Sequence, residues 1–223
     1  MGKRWGLGII AGLALALPAW APCADLNSGF DVRVFGGGDY NGGEDLETDF
    51  GVPSNSDVAA YFGLGGDYAF RSGFVVGMDW MDGPLRRHTL GGAAYSFSGV
   101  VSVNNVSGFI TPGWRVSPLP DLLVEARLGL GLVDATEVVQ VDGVGNFTYT
   151  GLGYGVWPEI RAEYEIGHWG LGLSAGYLAS LVDSVADSNG QILQNVNASN
   201  ATLHTEGVSL ALFGTYHFTP VFR

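Results

Sequence analysis

Between Leu122 and Asp134 every second residue is apolar: Leu122, Val124, Ala126, Leu128, Leu130 and Leu132. The positions between them are Leu123, Glu125, Arg127, Gly129, Gly131 and Val133, so the opposite face carries charge and glycine. A helix gathers apolar residues three and four apart; a period of two belongs to a strand whose faces meet different surroundings. Segments of this kind recur along the whole chain, each long enough to cross a membrane. Strands can cross lipid only when every backbone group is paired, which requires a closed barrel with a lipid-facing outside and a polar inside.

The N-terminus indicates export. Lys3 and Arg4 precede an apolar run from Trp5 to Leu17, and small residues follow at Ala19, Ala21 and Ala24. This is the pattern of a secretory signal peptide over residues 1–24, leaving residues 25–223 as a single barrel domain. Cys23 is the sole cysteine and is expected to leave with the leader, so redox chemistry plays no part in the mature chain. Apart from the leader, no apolar run approaches the length of about 18 residues that a membrane helix needs. The 36 glycines suit the inner face of a narrow barrel. The net charge is −12 and Lys3 is the only lysine, a balance that repels nucleic acid.

Eight strands can be laid out by parity. The first runs from about Phe30 to Gly37; the second sets Val58 to Phe70 outward against Tyr61, Gly63, Gly65 and Asp67; the third sets Phe74, Val76, Met78 and Trp80 against Val75, Gly77 and Asp79. The fourth is placed near Asn104 to Val116, with residues 88–99 as a competing choice. The fifth starts at Leu122, the sixth covers Tyr149 to Tyr164, the seventh starts at Trp169, and the last covers Val208 to Phe218. Pro112 and Pro158 fall inside strands, where each removes a ladder hydrogen bond, so a local bulge is expected at both. Short connections (Arg71 to Gly73, Ser117 to Asp121, Glu165 to His168) alternate with long polar ones (Gly38 to Asp57, Asp82 to Val103, Asp134 to Asn146, Val182 to Ala201). Strict alternation puts all turns on one side of a membrane and all loops on the other. The expected fold is therefore all-β: an eight-stranded antiparallel up-and-down transmembrane β-barrel with short periplasmic turns and long extracellular loops. Outward aromatics near the strand ends, such as Trp114, Trp169 and Tyr216 by the turns and Trp80 and Tyr154 by the loops, form the two belts that membrane interfaces favour.

This pattern resembles the small eight-stranded outer-membrane barrels of Gram-negative bacteria, of the OmpA/OmpX type. The ending Gly214-Thr215-Tyr216-His217-Phe218 looks like the C-terminal assembly signal of such barrels, carried by Gly214, Tyr216 and Phe218; five further residues follow it here. The resemblance implies an outer-membrane location, with outer-membrane lipids, lipopolysaccharide and the barrel assembly machinery as partners. It also implies a monomer whose loops are free to meet a surface ligand.

The candidate chemistry lies inside. Asp31, Arg33, Asp67, Arg115, Glu125, Arg127, Glu159, Arg161 and Glu163 all fall on inward positions, mostly toward the turn side. Unpaired charge in a narrow interior is costly, so these residues are expected to pair into a salt-bridged plug. The four histidines, His88, His168, His204 and His217, show no metal-ligand spacing, and no metal, cofactor or catalytic residue is expected. The first long loop holds Asp39, Glu44, Asp45, Glu47, Asp49 and Asp57 without a cation and reads as a solvated acidic surface with a modest attraction for divalent cations. Three functions follow from different classes: a non-enzymatic envelope or surface-contact protein, which is favoured; a narrow ion channel through the Arg127, Glu159 and Arg161 region; and a lipid A-modifying enzyme resting on His204 alone.

Overall fold

The computed structural model describes residues 26–41, 57–83, 86–90, 99–194, 200 and 202–221. The leader with Cys23, and Glu44, Asp45, Glu47 and Asp49 of the acidic segment, lie outside the described residues. The strands are β1 Gly29–Asn41, β2 Asp57–Ala69, β3 Phe74–Asp82, β4 Arg86–Leu90, β5 Gly99–Leu119, β6 Leu122–Val141, β7 Gly145–Ile166, β8 Trp169–Val182 and β9 Leu203–His217. All pairings are antiparallel, and the order β3-β2-β1-β9-β8-β7-β6-β5 is closed by β3 pairing with β5. The result is an eight-stranded ring in which sequence neighbours are spatial neighbours. The short β4 is a ninth segment that, among the described residues, pairs with the upper end of β5. The seam between first and last strands runs from Asp31 opposite His217 to Asn41 opposite Gly207.

The faces follow the sequence parity. Met78, Leu171 and Leu212 are 70%, 66% and 62% exposed on the outside, whereas Arg127 and Asp79 are each 2% exposed on the inside. An apolar surface that wraps an entire protein far exceeds the patches that water-soluble monomers expose. Aromatic contacts mark its turn-side rim, where Phe70 meets Phe74 and Tyr216 meets Trp169 and Phe218. Tyr216 and Phe218 of the expected assembly signal thus lie in an outward aromatic cluster that also includes Phe30, with Gly214 beside them on β9.

The stretch read as a polar connection from Asp82 to Val103 holds β4 and the start of β5, and three further details depart from the sequence reading. The stretch from Asp134 to Asn146 is a hairpin rather than a loop: β6 and β7 stay in register up to Val141 opposite Gly145, and the tip is formed by residues 142–144. Its cause is local, since Asp142-Gly143 lies between β-branched and aromatic runs and Gly143 adopts φ 78°. Secondly, β1 runs on to Asn41, so Asp39 is a fully buried strand residue instead of a solvated loop acid. Finally, the prolines produce no bulge. Pro112 pairs with Val76 and Pro158 with Leu128, while the ladders to β6 and β8 skip residues there without changing register. A strand residue directs its N–H to one neighbour only, so each proline leaves its other neighbour's ladder intact. The one register shift in the β5–β6 ladder lies between Val116 and Leu119, at the turn.

Candidate functional site: the charged and plugged lumen

The inward side chains form distinct storeys. At the turn-side end, Leu26, Leu123 and Val221 pack into an apolar floor. Above it lies the charged storey, in which all nine of the inward charges read from the sequence are buried. They join Asp79 and His217 in a single chain of alternating acids and bases. Glu159 meets Arg161 at 2.5 Å, Arg161 meets Asp79 at 3.1 Å, and Asp79 meets Arg33. Arg33 meets Asp67 at 2.6 Å, and Asp67 takes both terminal nitrogens of Arg127, at 2.5 and 2.7 Å. Arg127 also reaches Glu125 at 2.6 Å; Glu125 holds Arg115, which meets Asp31 at 2.8 Å. His217 closes the chain between Asp31 at 2.8 Å and Glu163 at 3.0 Å, with Glu165 at 3.6 Å. A planar guanidinium can serve two carboxylates at once, which is why arginine rather than lysine builds such a lattice.

Glycines set the reach of these pairs. Asp67 on β2 crosses Gly77 on β3, and a Cβ placed at Gly77 would fall within its carboxylate. Arg127 crosses Gly113 in the same way to meet it, while the Arg33–Asp79 pair passes over Gly65 and Glu163 passes over Gly170 on its way to β9. The glycine face is therefore a set of saddles that lets side chains bridge strands that are not neighbours. The chain of charges draws a member from every strand of the ring except β8, which carries no charged residue at all.

The middle storey is aromatic. Phe35, Tyr61, Met81, Phe109, Trp157, Leu178, Ala211 and Phe213 form one buried cluster. Trp157 lies at its centre, 5.6 Å from Phe109 and 5.8 Å from Phe35 between ring centres, and its indole N–H donates to Ser209 Oγ at 3.1 Å. Eight strands leave little bore, and here side chains fill it. Above this, Val101, Val103, Ala135, Val182, Val185 and Leu203 form a third cluster inside the raised hairpins. The segment after β8 folds across it, bridging Ala186 to Thr150 and to Ile192.

Sequence reasoning missed Asp79, His217 and Glu165 as members of the network, although all three lie on inward parity; a rule that included every inward titratable group would have found them. The rim residues His204 and Glu206 are 3.8 Å apart, and the Tyr177 hydroxyl donates to Glu206 at 2.8 Å. His168 uses its Nδ1 to bond the His217 carbonyl at 2.7 Å. His88 lies in β4, its side chain outside the described residues.

No family model matches the chain, and no curated protein does. Among solved structures the chain is similar to the crystal structure of Neisserial surface protein A, at 15% identity over 86% of this chain and 98% of that one, with a TM-score of 0.46. By strand count, antiparallel order and closure, the protein has the fold of the small eight-stranded barrels that its sequence pattern resembles.

Proposed function

We propose that the protein is a non-enzymatic barrel of the bacterial outer membrane, exported by its leader, that supports the envelope structurally and meets other molecules through its raised hairpins. The observation that carries this reading is the inversion of the molecule: buried ion pairs and aromatics inside, a continuous apolar band outside. Such an exterior calls for lipid and lipopolysaccharide as its solvent, and the aromatic rims match the two interfaces. A lumen filled by Trp157 and its neighbours favours a rigid post over a conduit. Gly214, Tyr216 and Phe218 provide the features that barrel assembly machinery would read, and the hairpin of β6 and β7 carries a ligand-accessible surface away from the lipid.

The test is electrophoresis without boiling of the leader-free protein refolded in detergent. A folded band that migrates apart from the boiled one, with the strands resistant to protease, is the expected result. A protein that stays soluble and monomeric without detergent would overturn the reading. Planar-bilayer recordings should remain silent; steady conductance altered by neutralising Arg127, Glu159 or Arg161 would favour a channel.

A further inference from the structure

Every base in the luminal chain of charges is held between acids, and four of the five are arginines that never lose their proton. The fifth is His217, fully buried, with Nδ1 2.8 Å from Asp31 Oδ1 and Nε2 3.0 Å from Glu163 Oε1. An ionised carboxylate offers lone pairs and no hydrogen, so a ring nitrogen bonded to one is the donor. Both ring nitrogens are so placed, and a neutral imidazole has only one hydrogen to give. We propose that His217 is an imidazolium in the closed barrel and that closing the β1–β9 seam takes up this proton.

The surroundings fit a cation. From β1 comes Asp31, and from β7 come Glu163 and Glu165, the latter 3.6 Å from Nε2. Among the described residues the facing cation is Arg115 of β5, and it is engaged by Asp31 and by Glu125 of β6. His168, in the turn before β8, contacts the His217 backbone and not its ring. Thr215, on β9 itself, is the remaining inward polar neighbour. The position also has mechanical meaning. His217 ends the last strand opposite Asp31 at the start of the first, and Glu163 reaches it from two strands away across Gly170. The ring thus clasps β1, β9 and β7 together at the point where the barrel closes. Because the closed form holds a proton that the open chain releases above the ordinary imidazole range, the clasp is at full strength at acid pH and weakens as pH rises.

The test is nitrogen-15 NMR of the histidine rings in the full folded barrel in detergent micelles at about pH 7.5, where a free imidazole is mostly neutral. One ring is expected to show both nitrogens protonated, and this signal should vanish in His217→Gln. In Glu163→Gln the amide can donate to Nε2, so the ring should revert to a neutral tautomer while the barrel still folds. Folding yield, read by heat-modifiability, should fall several-fold from neutral to alkaline pH in the parent and stay flat in Glu163→Gln. A neutral ring in the parent overturns the proposal, as does a parent folding yield that does not fall with rising pH.

Discussion

The charged storey and the aromatic storey are buried alike and fill the same lumen, yet they are held by different physics. The aromatic cluster is held by volume: Trp157 packs against Phe35, Tyr61 and Phe109, and a neighbour of similar size can substitute with modest repacking. The charged storey is held by partner count. Each arginine there serves two carboxylates, so losing one side chain strands two opposite charges in a place that water cannot easily reach. Two adjacent layers of one barrel should therefore differ in how they tolerate substitution. The charged layer also has register to defend, since its pairs fix which strands lie across from one another.

The sharpest way to break this contrast is Arg127→Ala. It leaves Asp67 and Glu125 each short of a partner and should cost about 3–5 kcal/mol, read from urea unfolding in lipid vesicles. Adding Asp67→Leu to that variant should recover part of the loss, with an interaction energy of about 0.5–3 kcal/mol in the double-mutant cycle. Strict additivity would mean that the lattice is only a set of independent contacts.

The next effect in size tests the saddles. Gly77→Val puts a branched side chain where the Asp67 carboxylate crosses β3, against backbone that cannot retreat. The expected loss is about 2–3 kcal/mol, the upper part of the range for overpacking. The same substitution at Gly108, an outward glycine with open space where a Cβ would stand, should be close to neutral. Equal losses at the two sites would show that glycine matters here through strand flexibility rather than as a passage for side chains.

In the aromatic storey, Trp157→Phe keeps a ring in place but gives up volume and the hydrogen bond to Ser209. A loss of about 1–2 kcal/mol is expected, well below that of the arginine. A larger loss than for Arg127→Ala would reverse the ranking of the two layers.

Parity made the ring legible. Once Glu125, Arg127, Glu159 and Arg161 alternate with lipid-facing leucine, isoleucine and alanine, the inside and outside of each strand are fixed by stereochemistry. The partners inside the ring were not legible. Arg115 meets Asp31 across 84 positions of sequence and Arg127 meets Asp67 across 60, distances that only the closed geometry and its glycine crossings bring together. His217 shows no metal-ligand spacing to another histidine and so gave no sign of a role, whereas its partners are carboxylates 186 and 54 positions away. The hairpin tip failed for the opposite reason. Asp142-Gly143 is a local turn signal between two strand-forming runs, whereas Asp134 to Asn146 was read whole as a long polar connection.

Outside the ring, the same contrast between partner count and volume recurs at small scale and with little energy. The segment that folds over the upper cluster turns at Asp187, whose carboxylate accepts the backbone N–H groups of Gln191 at 2.8 Å and Asn189 at 2.9 Å. The Gln191 N–H bond, followed by that of Asn189, holds this carboxyl below the ordinary aspartate range. Because the folded turn favours the ionised form, its contribution is fully present at neutral pH and is lost as the carboxyl protonates on acidification. Amide exchange at Gln191 and Asn189 should accelerate once acidification has passed below the ordinary aspartate range, while the strands stay protected, since their ladder does not depend on this group. Asp187→Asn should shift little at neutral pH, because the amide oxygen can still accept, and should abolish the acid dependence. An acid transition shared by the turn and the β6–β7 hairpin would instead mean that the cap and the barrel titrate as one unit.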